Sequence, residues 1–217
     1  MRYRIPMDRQ KPTFSEEKAL RKDGFSLIAG IDEVGRGALM GPVMAAAVIM
    51  PEAVKGKWKT KVRDSKMLTP ADREYLFDFI CRAAVSYGIG SSSNDEIDSV
   101  GIAKATRLAM VRAVRQLNPQ PQFLLIDYIT LSESYIPQKG IVHGDCLSFS
   151  IACASIIAKV TRDKLVTEMD NDYPGYNFAA HKGYGTEEHL ACLQEKGPCP
   201  LHRRSFFPVS EMTGWKL

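Results

Sequence analysis

Two adjacent carboxylates, Asp32 and Glu33, end the apolar run Leu-Ile-Ala-Gly-Ile, and Gly35-Arg36-Gly37 follows one residue later. Two further apolar stretches finish in the same way: Phe-Leu-Leu-Ile at Asp127 and Gly-Ile-Val-His-Gly at Asp145. Singly, each acid has a plain use. Asp145 could cap a helix, Asp127 could sit in a strand-end turn, and Asp32-Glu33 could pair with Arg36. Ligand sites in open α/β sheets gather at the carboxyl ends of strands, so acids at three such ends point to one shared site. Crowded carboxylates repel and would protonate unless a cation neutralises them. An oxygen-only set, with no His or Cys in it, favours a hard cation such as Mg²⁺ or Mn²⁺. Two such ions about 4 Å apart suit phosphodiester hydrolysis, one activating water and the other steadying the leaving oxygen. Neighbours on a regular strand face opposite ways, so Glu33 needs a bend, which the nearby glycines allow. Asp163 lies about 27 Å further along a continuous helix from Asp145 and is expected to be an exposed acid near Arg162.

The elements that must position these acids follow from periodicity and punctuation. Residues 25–33 and 41–50 read as two strands around a glycine-rich turn, 85–93 as a third, and 123–127 and 140–142 as short buried strands. A first helix is expected over 14–24, with Ser15 as N-cap and Gly24 closing it. Thr69 and Pro70 open a second helix, and a third runs through 102–117, where Leu108, Val111 and Val114 mark an apolar stripe. A long helix covers 148–170, one or two residues after Asp145, and a short one capped by Thr186 closes at Gly197. A hairpin mixed with helical crossovers implies an α/β domain with a mixed sheet.

With 217 residues, 45% of them hydrophobic, the chain can bury the core of one domain. Its richest apolar run is about half of the ~20 residues a membrane span needs, and its N-terminus has no apolar signal core, so neither membrane insertion nor export is expected. Five scattered cysteines suit reduced thiols in a cytoplasmic protein better than a disulfide framework. The net charge of +4 is weak evidence, but its clustering says more: residues 55–66 hold six cations against one anion around Trp58, and His202-Arg203-Arg204 forms a second group. Such patches suit a polyanion, or are simply solvated loops.

Taken together, "GIDEVGRGALMGPVMAAAVIM", "RDSKMLTP", "LLID", "GDCLSFSIACASIIAKVTRD", "YPGYNFAAHKGYGTEEH" and "GPCPLHRRSFFPV" occur in the order found in ribonuclease HII, the type 2 ribonuclease H family, which the chain resembles over about residues 28–209. The resemblance implies an RNase H-like fold: a central mixed β-sheet flanked by helices, with a small C-terminal helical appendage. It divides the chain into an N-terminal extension (1–25), a catalytic domain (26–170) and the appendage packed on it (171–217). It further implies hydrolysis of the RNA strand of RNA–DNA hybrids and cutting 5′ of a lone ribonucleotide in duplex DNA, leaving 3′-hydroxyl and 5′-phosphate ends. Asp32, Glu33, Asp127 and Asp145 match the family's metal-binding acids. Gly35, Arg36 and Gly37 match a stretch whose backbone can approach a ribose closely. Tyr184 matches the tyrosine that faces the sugar beyond the ribonucleotide, and Ser65, Lys66 and Lys159 are expected at phosphates.

Three positions depart from the family pattern. Tyr128 replaces a glycine beside Asp127 and could narrow the groove or turn away; His143 stands where lysine is common, and Cys153 where alanine is usual. His189, Cys192, Cys199 and His202 could suggest a structural zinc, but their spacing fits no standard four-ligand pattern. A hybrid-binding module without turnover is the rival of another class, although a mere binder gains nothing from a repulsive acid cluster. A transposase or junction nuclease of the same fold would share the acids without needing Gly35-Arg36-Gly37 beside Tyr184. A monomer is the simplest expectation, and nothing at the C-terminus reads as a sliding-clamp-binding peptide.

Overall fold

The computed structural model describes residues 11–212. The first ten residues, part of the stretch read as free of an export signal, and the last five, where a clamp-binding peptide was sought, lie outside the described residues. The runs around the glycine-rich turn form β1 (Ile28–Val34) and β2 (Val43–Ile49), paired antiparallel with Asp32 opposite Ala46 and Glu33 opposite Ala45. β3 (Ser86–Ser92) continues antiparallel beside β2, while β4 (Phe123–Asp127) and β5 (Gln138–Ile141) add parallel on the other side of β1. The described residues thus form one mixed five-stranded sheet in the order β3-β2-β1-β4-β5.

Alternation along the strands builds two apolar layers. Ala29, Ile31, Ala45, Ala47, Leu124 and Ile126 pack on one face with Ala109, Met110 and Ala113 of α4 (Ile102–Arg115). On the other face, Ala46 and Val48 pack with Ala152, Ile156 and Ile157 of α6 (Phe149–Asp172) and with Leu76 and Ile80 of α2 (Pro70–Ala83). β2 is buried on both faces, which is why it reads as an unbroken apolar run. Asp32 and Asp127 project to the α6 side, since their neighbours Ile31 and Ile126 belong to the α4 layer. Among the described residues no helix is long and apolar enough to cross a membrane, and all five cysteines are free thiols.

Local chemistry explains the helix ends, with some departures from expectation. Thr69 Oγ1 accepts the Asp72 N–H and Pro70 takes the first helical position, as the sequence suggests. Ser15 is not the cap of α1 (Ser15–Lys22). Phe14 takes that place without a side-chain bond, stacked on Phe149 at 4.4 Å, and Thr13 Oγ1 accepts the Ser15 N–H. A helix not foreseen, α3 (Asn94–Val100), is opened by a reciprocal capping box between Ser93 and Glu96. Asp145 does not merely precede the long helix. It lies in a separate turn, α5 (Gly144–Leu147), and α6 starts after Ser148, whose hydroxyl accepts the Ile151 N–H. Two short helices follow, α7 (Phe178–His181) and α8 (Glu187–Lys196).

Candidate active site

β1 outruns β4: their pairing ends at Ile31 and Ile126, while β1 stays paired to β2 through Val34. Asp32 and Glu33 therefore emerge beyond the end of the neighbouring strand, beside Asp127 on the last residue of β4. Carboxylate oxygens of Asp32, Glu33 and Asp127 lie within 4.8 Å of one another. The bend comes at Gly35, with φ +86°, after Glu33 rather than before it. Glu33 reaches the cluster with its side chain, its N–H bonded to Asp32 Oδ1 at 2.7 Å and its carboxylate 3.5 Å from Arg36. Asp127 Oδ1 accepts the Gly144 N–H at 2.6 Å, which fixes the α5 turn and delivers Asp145 to the same groove.

The groove, about 440 Å³, is lined by every residue expected to hold metal or meet the substrate: Asp32, Glu33, Gly35, Arg36, Gly37, Ser65, Lys66, Asp127, Asp145, Lys159 and Tyr184. Burial and the neighbouring acids Glu33 and Asp127 push the Asp32 carboxyl well above its ordinary value. Asp127 is raised mainly by burial, and Asp145 goes up to about 6 through burial and the charges of Asp64 and Asp127. Burial alone would lower Lys66, but Asp64, Asp145, Asp32 and Asp127 outweigh it and raise the amine. Buried acids crowded in this way, all offering oxygen, are a donor set that suits hard divalent cations.

Several of the residues weighed in the sequence have partners or settings of their own in the structure. The Ser65 hydroxyl is buried and shared with Ser155 Oγ at 2.9 Å. Lys159 bonds Asp163 at 2.8 Å and lies 5.6 Å over the Tyr184 ring. Asp163 is accordingly not an exposed acid: it is largely buried between Lys159 and Arg73. Trp58 is packed against Phe79 rather than offered from the basic stretch. The ring of Tyr128, with φ +63°, is 66% exposed and turns out of the groove. The His202-Arg203-Arg204 group is no surface patch, because His202 and Arg203 are fully buried. His189, Cys199 and His202 are linked by hydrogen bonds. His202 Nδ1 accepts the Cys199 N–H, His189 Nδ1 donates to the Tyr184 carbonyl, and the two Nε2 atoms face each other at 3.1 Å.

Four residues that the motifs did not single out frame the site. Ser155 shares a hydrogen bond with Ser65 and lines the groove with Asp32, and its signal was a hydroxyl inside an apolar helical run. Asp64, between Arg63 and Ser65, caps the Lys66 N–H at 2.9 Å and lies near Asp145 and Cys146. Arg162 and Arg203 are both fully buried, and among the described residues neither has a carboxylate within ion-pair distance. Arg162 donates to the carbonyls of Met40, Pro42 and Lys182, and Arg203 to those of Gly35, Arg36 and Gly41. Nothing in the sequence separates these arginines from surface ones.

Comparison with known proteins accords with this architecture. Residues 29–209 match the family model for ribonuclease HII. The chain is 59% identical to a ribonuclease HII of Dehalococcoides mccartyi over 201 residues, 93% of this chain and 95% of that one. It is 50% identical to the ribonuclease HII of Geotalea uraniireducens, covering 93% of each. Among solved structures, ribonuclease H2 of Pyrococcus horikoshii superposes with a TM-score of 0.69 at 24% identity, over 85% of this chain and 95% of that one. The ribonuclease HII of Archaeoglobus fulgidus, solved in complex with PCNA, gives 0.62 at 21% identity over 78% and 86%. The mixed sheet with its helices is thus the RNase H-like fold.

Proposed function

This chain belongs to the ribonuclease HII family, and from that premise we propose that it hydrolyses the RNA strand of RNA–DNA hybrids and cuts 5′ of single ribonucleotides in duplex DNA, leaving 3′-hydroxyl and 5′-phosphate ends. The observation that carries the reading is the convergence of Asp32, Glu33, Asp127 and Asp145 on one groove with Gly35-Arg36-Gly37 and Tyr184. Asp32, Glu33, Asp127 and Asp145 would hold Mg²⁺ or Mn²⁺. Bound there, the ions supply water activation and stabilisation of the leaving oxygen.

The remaining work falls to the chain itself. The exposed Arg36 and Gly37 backbone meets the ribose, where a 2′-hydroxyl separates RNA from DNA. Tyr184 presents its ring to the neighbouring sugar. Lys66 adds positive charge beside the phosphate, and Lys159 does so where the groove opens into a larger cleft that it shares with Tyr184. That continuity suits a double-stranded ligand extending past the cut. Excision of ribonucleotides from DNA, action as a monomer and a cytoplasmic location complete the reading.

The test is a labelled duplex carrying one ribonucleotide, incubated with Mg²⁺ or Mn²⁺ beside a matched all-DNA duplex. One cut 5′ of the ribonucleotide, abolished by chelator and by Asp127→Asn with the fold intact, is expected. Cutting of the all-DNA duplex, or full activity in Asp127→Asn, defeats the proposal.

A further inference from the structure

Arg203 spends its guanidinium on three main-chain carbonyls of one loop: Nη2 to Gly35 at 2.7 Å, Nη1 to Arg36 at 2.9 Å and Nε to Gly41 at 3.0 Å. A buried cation without a carboxylate is costly, so so complete an engagement with backbone marks a position where orientation matters. Peptide units are planar and trans, which sets each N–H antiparallel to its own carbonyl. The Gly35 and Arg36 carbonyls point inward to Arg203, so the N–H groups of Arg36 and Gly37 point away from it. Both residues are exposed, line the acid-rich groove and, among the described residues, give these N–H groups to no protein acceptor. A Cβ on Gly37 would meet nothing within 4 Å, so the space before it is open.

Arg203 is held in turn. Its own N–H bonds the Leu39 carbonyl at 2.8 Å, and the preceding His202 forms an antiparallel bridge with Met40. The planar fork reaches both ends of residues 35–41 at once, which a single ammonium cannot do.

We infer that Arg203 is a positioning residue that turns the Arg36 and Gly37 N–H groups into the groove as a preset donor pair for the ribose 2′-hydroxyl. It touches no substrate itself. The inference rests on the proposed reading of Gly35-Arg36-Gly37 as the ribose-facing turn and adds the device that orients it.

The experiment measures binding in an Asp127→Asn background with Mg²⁺, by fluorescence anisotropy, for a duplex with one ribonucleotide and for its all-DNA match. The parent should prefer the ribonucleotide duplex. Arg203→Lys and Arg203→Gln should lose about tenfold of that preference, the scale of a lost hydrogen-bond pair. Their all-DNA affinity should move less than about twofold, with cooperative melting retained. Folded variants that keep the preference overturn the positioning role. Parallel weakening on both duplexes with a fallen melting temperature, or failure of both variants to fold, reduces Arg203 to scaffold and overturns it as well. A parent with no preference overturns the ribose reading of the turn, and the positioning role with it.

Discussion

At the scale of single residues, the candidate site is built against its own stability. Asp32, Asp127 and Asp145 all carry raised carboxyl values, Asp145 up to about 6, because burial and mutual repulsion disfavour their charged forms. A raised carboxyl destabilises the metal-free fold above its folded value, and the penalty is relieved by protonation or by a bound cation. Mn²⁺ or Mg²⁺ should therefore raise the melting temperature, and chelator should reverse the gain. Asp127→Asn keeps an oxygen for the Gly144 N–H while removing one charge. It should raise the metal-free melting temperature by about 2–4 °C, the scale of 1 kcal/mol in a chain of this size, and shrink the metal-induced rise. Calorimetry with and without metal checks both; a metal response equal to that of the parent would count against Asp127 as a ligand.

At the scale of elements, the position of α6 against β1 decides what meets Asp32. Gly30 lies under the first turn of α6, where a Cβ would overlap the backbone of Ser150 and Ile151. The same helix carries Ser155, Lys159 and Arg162, so its seating sets their reach toward Asp32, Tyr184 and the loop. Gly30→Ala should push α6 off the sheet, costing about 1–3 kcal/mol in urea unfolding. It should also lower turnover by more than the unfolded fraction explains. Gly90, against the Ala109 carbonyl of α4, sits on the layer away from the groove. Gly90→Ala should destabilise similarly while the folded fraction keeps its activity.

At the scale of the whole molecule, the buried guanidiniums of Arg162 and Arg203 tie the C-terminal segment to the rest of the fold, and buried histidines hold that segment together within itself. His189 and His202 are neutral partners whose values burial lowers to about 4, below the usual 6.5. The unfolded chain takes up these protons first as pH falls. Their contribution is fully present above about pH 6.5 and drains between 6.5 and 4, at about 1.4 kcal/mol per pH unit for each histidine charging only when unfolded. Melting temperature should fall across that window, and His202→Gln should flatten the slope. An unchanged slope in that variant would place the acid sensitivity elsewhere.

The sequence by itself determined the strands, the hairpin and helical crossovers that make the sheet mixed, and the acids that end β1, β4 and the turn after β5, because apolar runs and punctuation are local signals; the strand order came from the tertiary structure. Four of the groove's residues follow from that pattern, and the family resemblance supplies seven more. The tertiary structure decided the rest. It sent Arg203 and His202 inward, turned Tyr128 outward, gave Lys159 to Asp163 and brought Asp64 to Asp145. A buried arginine held by carbonyls reads in sequence like a solvated one. Its partners lie more than 160 positions away, and only the packing of the chain end against the glycine-rich loop brings them within bonding distance.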